Sequence, residues 1–155
     1  MDTVKDFEDI LELFERHGVR YLIVGGMAFI YHAKPRYTKD IDLWIDPDPD
    51  NVLLVNQALT EFGSPELISP ETPDEILQLG VAPNRIDLLR DVVSMAFSEA
   101  WPRRIQGAYG RVSANWIDFE GLLAIKSAID HPRHQEDARV LRAVREGKGS
   151  GTDRD

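Results

Sequence analysis

Acidic residues placed inside apolar strands constrain the fold of this chain more than any other feature. The segment Asp40–Ile45 alternates acidic and apolar residues, and Asp87 lies within the largely apolar run Arg85–Leu89. Because side chains alternate between the two faces of a strand, Asp40 and Asp42 point to the same side of a sheet. The pattern therefore predicts two strands, over 40–45 and 85–89, and pairing between them would bring three carboxylates together.

A cluster of Asp40, Asp42 and Asp87 needs compensating positive charge. Carboxylates that share one face of a sheet repel one another and lose hydration, and cations between them offset both effects. Mg²⁺ suits carboxylate and phosphate oxygens, and a chain without Cys offers no thiolate zinc site. Two such ions stabilise the attacking and the leaving oxygen in phosphoryl-type transfer. We therefore predict that these three residues are catalytic and bind Mg²⁺, as two ions, or Mn²⁺ in its place.

A glycine pair, Gly25-Gly26, interrupts an almost continuously apolar run, Val19–Val24, which predicts a buried strand. A short helix is predicted directly after the pair, over 27–33. Glycines between a strand and a helix let the backbone approach a phosphate, and the helix N-terminus adds free N–H donors. The glycine pair is therefore predicted to bind a phosphate group, although such a pair on its own is an ordinary turn.

A basic loop, Lys34–Lys39, leads directly into Asp40. We predict that Arg36 reaches a β- or γ-phosphate and that Thr38 donates a hydrogen bond to one. The alternative for this loop is a solvated, charged surface.

The carboxylates have structural alternatives as well. Asp40 and Asp42 fit an edge strand whose polar face meets solvent, and Asp87 fits an ion pair with Arg85 or Arg90. The combined order and spacing of the glycines and carboxylates favours the functional interpretation.

Helical and strand patterns interleave along the chain, which predicts a single α/β (α+β) domain over 1–146. Asp118 is predicted to cap a helix that runs to about 129, and the C-terminal helices form a lobe from about 118. Residues 147–155 are rich in Gly, Ser and charge and are predicted to be disordered. A first helix is predicted to begin at Thr3, as N-cap, and to end at Gly18. Further helices are predicted over about 51–62, 94–101 and 134–146, with a short one after Thr72-Pro73. The other predicted strands lie near 104–105 and 111–113.

The composition excludes several classes of protein. No apolar run reaches the roughly 20 residues of a membrane span, and the acidic N-terminus lacks a secretory segment. We therefore expect a cytosolic protein without a membrane partner. With a net charge of −9, the chain has no overall attraction for long nucleic acids, which bind mainly through Lys and Arg. Residues 101–155 are slightly basic, so this part remains compatible with a nucleotide.

The segment from Val24-Gly25-Gly26 to Arg36–Leu43 resembles small bacterial nucleotidyltransferases of the DNA polymerase β-type superfamily, related to the AbiEii-like toxins of toxin–antitoxin systems. The resemblance covers roughly residues 5–145 and implies a mixed sheet flanked by helices. It implies that Asp40 and Asp42 bind the metals, while Asp87 completes the site and activates an acceptor hydroxyl. The glycine pair would hold the triphosphate of the nucleotide.

The resemblance extends to the C-terminal helices, where Lys126, Arg133 and Asp137 match the family's pattern. It implies that Lys126 contributes to the nucleotide site. His134 departs from the pattern, because it stands where the family has Asp. The structural alternative is an ion pair between Lys126 and Asp137 that joins two helices.

These features predict a metal-dependent nucleotidyltransferase, which transfers NMP from an NTP such as ATP to an acceptor and releases pyrophosphate. The acceptor stays open between RNA, a protein side chain and a small molecule. One alternative is a catalytically weak or inactive binding protein, such as a toxin–antitoxin component with a cognate partner protein. A second alternative is a metal-dependent phosphoesterase, in which water replaces the acceptor.

Overall fold

The centre of the fold is a six-stranded mixed sheet. It is seen in a computed structural model that describes residues 3–81 and 83–149. The strands are β1 (Tyr21–Val24), β2 (Asp40–Ile45), β3 (Leu77–Leu79), β4 (Arg85–Leu89), β5 (Ile105–Tyr109) and β6 (Val112–Trp116). The helices are α1 (Lys5–Arg16), α2 (Gly25–His32), α3 (Pro49–Phe62), α4 (Phe97–Ala100), α5 (Phe119–Ala128) and α6 (Pro132–Gly149).

The strand order β3-β4-β2-β1-β6-β5 places the two acid-bearing strands side by side. β2 runs parallel to β4, with Asp42 opposite Asp87, and antiparallel to β1, with Asp42 opposite Val24. The remaining pairs are β1 with β6, which is parallel, and β3 with β4 and β5 with β6, which are antiparallel. The predicted mixed sheet flanked by helices is therefore confirmed, and the pairing of β2 with β4 brings the carboxylates together.

Each face of the sheet is covered by a separate apolar core, because residues along β1 and β2 alternate in direction. Helices α1 and α3 pack on one face, against Ile41, Leu43 and their neighbours. Helices α2, α4, α5 and α6 pack on the other, against Leu22, Val24 and Trp44. Asp40 and Asp42 share the second face with Trp44, so the C-terminal helices cover the sheet next to the carboxylates.

The prediction of a helix after Thr72-Pro73 is wrong. These residues form a turn, in which the Glu75 N–H donates to the Thr72 carbonyl at 3.1 Å. The chain then enters β3, an edge strand of three residues. A strand this short carries too few residues for a periodic pattern, and it is stabilised by pairing with β4 rather than by local preference.

Several element boundaries also differ from the predicted ones. α1 begins at Lys5, and its N-cap is Val4 without a side-chain bond, in place of Thr3. α2 begins at Gly25 itself, so the glycine pair lies within the first turn of the helix. The helix predicted over 94–101 is reduced to α4 and a 3₁₀ turn over Trp101–Arg103 that contains Pro102. Proline has no N–H to continue an α-helical ladder.

The C-terminal helices follow the prediction closely. Asp118 caps α5 by accepting a hydrogen bond from the Gly121 N–H at 3.1 Å. α6 extends to Gly149, so residues 147–149 of the tail predicted as disordered are helical, and 150–155 lie outside the described residues. Arg145 near this end is paired with Glu120 of α5, which holds the last turns against the lobe. No helix in the described part of the chain has the length and apolar character to cross a membrane.

A buried asparagine joins the start of β1 to the start of α3. The Asn51 side chain accepts from the Arg20 N–H at 2.8 Å and donates to the carbonyls of Arg20 and Asp46 at 3.1 and 2.9 Å. Asn51→Ala removes three hydrogen bonds to backbone groups, of which the Arg20 carbonyl still accepts from the Asp46 N–H. We therefore expect a loss of about 2–3 kcal/mol in the free energy of unfolding, measured by urea denaturation. Gln57→Ala, on the exposed side of the same helix, is the control and should change it by less than about 0.5 kcal/mol.

Candidate active site

The three carboxylates predicted from the sequence lie in one cluster. Asp40 and Asp42 of β2 and Asp87 of β4 each offer an oxygen, and these oxygens lie within 4.8 Å of one another. Among residues 3–81 and 83–149, this is the one group of three or more metal-ligand side chains that meets such a spacing. Its origin is the parallel register, because partners in adjacent strands point to the same face.

The three carboxylates repel one another, so a positive charge near them would stabilise the cluster. Burial, together with the negative charges of Asp40 and Asp87, raises the pKa of Asp42 to about 7, while Lys126 acts in the opposite direction. Asp87 is buried as well, so solvent does little to screen the repulsion. The donor set consists of carboxylate oxygens alone, which fits a hard divalent cation such as Mg²⁺ or Mn²⁺.

Arg85 is the positive group that the structure places directly on the cluster. Its Nε donates to Asp87 Oδ1 at 2.8 Å, and its Nη2 donates to Asp40 Oδ2 at 2.8 Å and to Asp87 Oδ2 at 3.0 Å. The ion pair of Asp87 with Arg85, one of the structural alternatives, is thus present. Arg90 is turned elsewhere and donates to the carbonyls of Ser69 and Thr72.

Gly25 provides the space in which the Asp42 carboxylate lies. Its φ of +70° belongs to the left-handed region, and a Cβ at this position would overlap Asp42 Oδ2. A Cβ at Gly26 would lie 3.0 Å from Thr38 Oγ1, so the basic loop also packs closely against the start of α2. The N-terminus of α2 therefore approaches both the carboxylate cluster and the loop that leads into Asp40.

Arg36 and Lys126 meet at a third residue, Asp137. Arg36 Nη1 and Nη2 donate to the two Asp137 oxygens at 2.8 and 3.0 Å, and Lys126 Nζ lies 2.9 Å from Asp137 Oδ2. The Lys126–Asp137 ion pair weighed in the sequence analysis is therefore present. The sequence did not predict that Arg36 also binds Asp137, because a contact between residues 101 positions apart has no local sequence signal.

Burial and the ion pairs shift the pKa values of Asp137 and Lys126. Burial alone would raise the pKa of Asp137, but the hydrogen bonds from Arg36 and Lys126 outweigh this effect and hold it below its ordinary value. Burial lowers the pKa of Lys126, although Asp137 opposes that change. His134, which departs from the family pattern, places Nδ1 3.2 Å from Lys126 Nζ.

A cavity of about 240 Å³ lies between the carboxylate cluster and the C-terminal lobe. Its lining includes Gly25 and the polar side chains of Asp42, Asp91, Lys126 and His134, and the rest of its walls is mainly apolar. A larger cavity of about 700 Å³ lies beside β3 and is lined by none of the three carboxylates. We regard the smaller cavity as the relevant one, because it adjoins groups that can bind a metal and a phosphate.

The fold is that of known nucleotidyltransferases. The lincomycin-bound crystal structure of the lincosamide antibiotic adenylyltransferase LnuA matches with a TM-score of 0.56 at 18% identity, over 92% of this chain and 98% of that one. The solution structure of the antibiotic-resistance factor ANT(2'')-Ia matches with a TM-score of 0.57 at 15% identity, over 94% of this chain and 90% of that one. The crystal structure of ANT(2'')-Ia with adenylyl-2''-tobramycin matches with a TM-score of 0.54 at 14% identity, over 93% of this chain and 95% of that one. No protein-family model and no curated protein sequence matches the chain.

Two glycines with the same backbone conformation allow the role of Gly25 to be tested. Gly18 and Gly25 both have φ +70°, but only the latter faces a side chain where its Cβ would be. Gly18→Ala should lower the free energy of unfolding by about 1–2 kcal/mol, the cost of the left-handed conformation. Gly25→Ala should cost more, because Asp42 must also move. Equal losses of unfolding free energy for the two variants, measured by urea denaturation, would show that the close contact between Gly25 and Asp42 does not affect stability.

The buried Asp137 should contribute strongly to stability. Asp137→Asn keeps the shape of the side chain but leaves Arg36 and Lys126 without their carboxylate, so we expect a loss of about 3–5 kcal/mol in the free energy of unfolding. Glu136→Gln, one residue away and exposed, is the control and should be close to neutral. A loss below about 1 kcal/mol for Asp137→Asn would contradict the role of this group in joining the lobe to the sheet.

Proposed function

We propose that the protein is a divalent-metal-dependent nucleotidyltransferase, which moves NMP from an NTP to an acceptor and releases pyrophosphate. The observation that carries the proposal is the cluster of Asp40, Asp42 and Asp87 directly beside the Gly25 turn. A metal site formed by carboxylates alone, next to a helix N-terminus that can bind phosphate, suits a metal–triphosphate complex. The fold shared with adenylyltransferases supports the same activity.

In this proposal Asp40, Asp42 and Asp87 would hold Mg²⁺, which stabilises the negative charge that develops on the attacking and leaving oxygens. Asp87 also accepts the proton of the acceptor hydroxyl. The backbone N–H groups at the start of α2, with Gly25 and Gly26, bind the triphosphate. The close packing of Asp42 against Gly25 keeps the metal ligands and the phosphate site at a constant separation.

Arg36, Thr38 and Lys126 are proposed to complete the nucleotide site. Lys126 lines the cavity beside Asp42, so its ammonium group can face the triphosphate. Thr38 lies against Gly26 at the start of α2, where its hydroxyl can donate to a phosphate. Arg36 is held by Asp137 and stacks on Phe29, with its guanidinium carbon 4.2 Å from the ring centre. It therefore acts mainly by orienting Asp137 and, through it, Lys126.

A small hydroxyl-bearing molecule is the acceptor we favour over RNA or a protein. LnuA is bound to lincomycin and ANT(2'')-Ia to adenylyl-2''-tobramycin, so proteins of this fold and length act on small molecules. The net charge of −9 also disfavours long RNA. We propose ATP as the donor and the cytosol as the place of reaction, since ATP and Mg²⁺ are supplied there. The relation to toxin–antitoxin proteins and their partners depends on the sequence resemblance alone.

The proposed activity is tested first by calorimetric titration of each NTP with and without Mg²⁺, then with α-labelled nucleotide. Asp40→Asn should reduce turnover roughly 100-fold or more, because it removes a metal ligand, while far-UV circular dichroism stays unchanged. Asp48→Asn, an exposed carboxylate after β2, is the control and should keep full activity.

The products distinguish the alternatives. A labelled acceptor supports nucleotidyl transfer, whereas free NMP alone indicates a phosphoesterase. Equal turnover in Asp40→Asn and the wild type would contradict the assigned metal site. Absence of NTP binding under all conditions would favour a binding protein without catalytic activity.

A further inference from the structure

The Arg85 guanidinium occupies a place that the proposed function assigns to a cation. Arg85 lies opposite Asp40 in the parallel register of β4 and β2, and it precedes Asp87 by two residues, so all three side chains share one face. Its Nε and Nη2 make the three hydrogen bonds of 2.8 to 3.0 Å to both carboxylates described above. Both oxygens of Asp87 and one oxygen of Asp40 are thereby engaged.

These oxygens belong to two of the three carboxylates that could hold a divalent cation. Mg²⁺ binds oxygen ligands at about 2.0–2.1 Å and demands near-octahedral geometry, so it competes directly with hydrogen bonds to the same carboxylates. A guanidinium and a divalent cation also repel each other when they share ligands, especially where burial limits screening. Arg85 in its present position and a metal at Asp40 and Asp87 therefore compete for the same carboxylates.

Arg85 is free to leave this position. About one third of its side chain is exposed, and in the described part of the chain the hydrogen bonds of its guanidinium go to Asp40 and Asp87. Rotation of the guanidinium toward solvent thus breaks no side-chain hydrogen bond other than those to Asp40 and Asp87. Lys126 differs in this respect, because it is almost fully buried and bound to Asp137.

We propose that Arg85 is a positioning residue that acts as the resident counter-ion of the carboxylate cluster. Without metal it holds Asp40 and Asp87 together against their repulsion, and it releases them when a divalent cation binds. The inference rests on the proposed metal site and adds that Arg85 and the divalent cation compete for Asp40 and Asp87. Arg85 weakens metal binding in the absence of nucleotide while it stabilises the metal-free fold.

The competition is measured with Mn²⁺ alone, by electron paramagnetic resonance of the free ion, on the full chain. Arg85→Gln should bind Mn²⁺ about tenfold tighter or more, since the cost of breaking charge-assisted hydrogen bonds disappears. Arg85→Lys should also bind more tightly than the wild type, because an ammonium group cannot bridge two carboxylates with the planar fork of Arg. Arg145→Gln removes the same charge from a pair with Glu120 in the lobe and should match the wild type.

Thermal unfolding provides a second readout. In EDTA, Arg85→Gln should melt below the wild type, because the three carboxylates then face one another without a counter-ion. Saturating Mn²⁺ should remove this difference, because the tighter-binding variant gains more from the ion. A difference in melting temperature that persists at saturation would indicate a purely structural ion pair and overturn the proposal.

The outcomes separate this inference from the proposed function. Equal or weaker Mn²⁺ binding by Arg85→Gln would overturn the counter-ion role but leave the metal site intact. Tighter binding by Arg85→Gln with unchanged binding by Arg85→Lys would show that net charge alone matters, which also overturns it. Absence of Mn²⁺ binding by the wild type and both Arg85 variants would overturn the metal site and the inference together. If Arg85→Gln fails to fold, Arg85→Lys, which keeps the charge, decides the question.

Discussion

The repulsion among three carboxylates held on two adjacent strands is the constraint on which the rest of the site depends. Their oxygens lie within 4.8 Å of one another, and burial adds a loss of hydration to the repulsion. Arg85 offsets part of this cost by direct hydrogen bonds, and Lys126 offsets part of it from the side of the lobe. The same repulsion would favour a divalent cation at the proposed metal site, so stability and metal binding would be coupled.

The apolar core keeps the carboxylates in place. β2 carries Asp40 and Asp42 on one face and buries Ile41 and Leu43 on the other, against α1 and α3. A shift of one residue in the register of β2 would exchange the two faces and bury the carboxylates in that core. The positions of Asp40 and Asp42 are therefore determined by the same alternation that stabilises the fold.

The lobe joins the sheet through charge as well as through packing. Asp137 of α6 binds Lys126 of α5 and Arg36 of the loop before β2, so one buried carboxylate links three segments near the cluster. A buried group with two cations has little tolerance for the loss of any member, because each remaining charge would lie without a partner. This arrangement holds Lys126 beside Asp42 in the lining of the cavity.

Which residues of β2 share a face can be predicted from the order of amino acids, because alternation along a strand is a local property of Asp40–Ile45. The end of β1 at the glycine pair and the Asp118 cap can be predicted in the same way, because both depend on neighbours in the chain. Three features become visible only in the folded chain: β2 pairs with β4, Arg85 bridges these two strands, and Arg36 reaches Asp137. These contacts join segments tens of residues apart, and their energy comes from burial and charge in the folded chain, for which no local pattern exists.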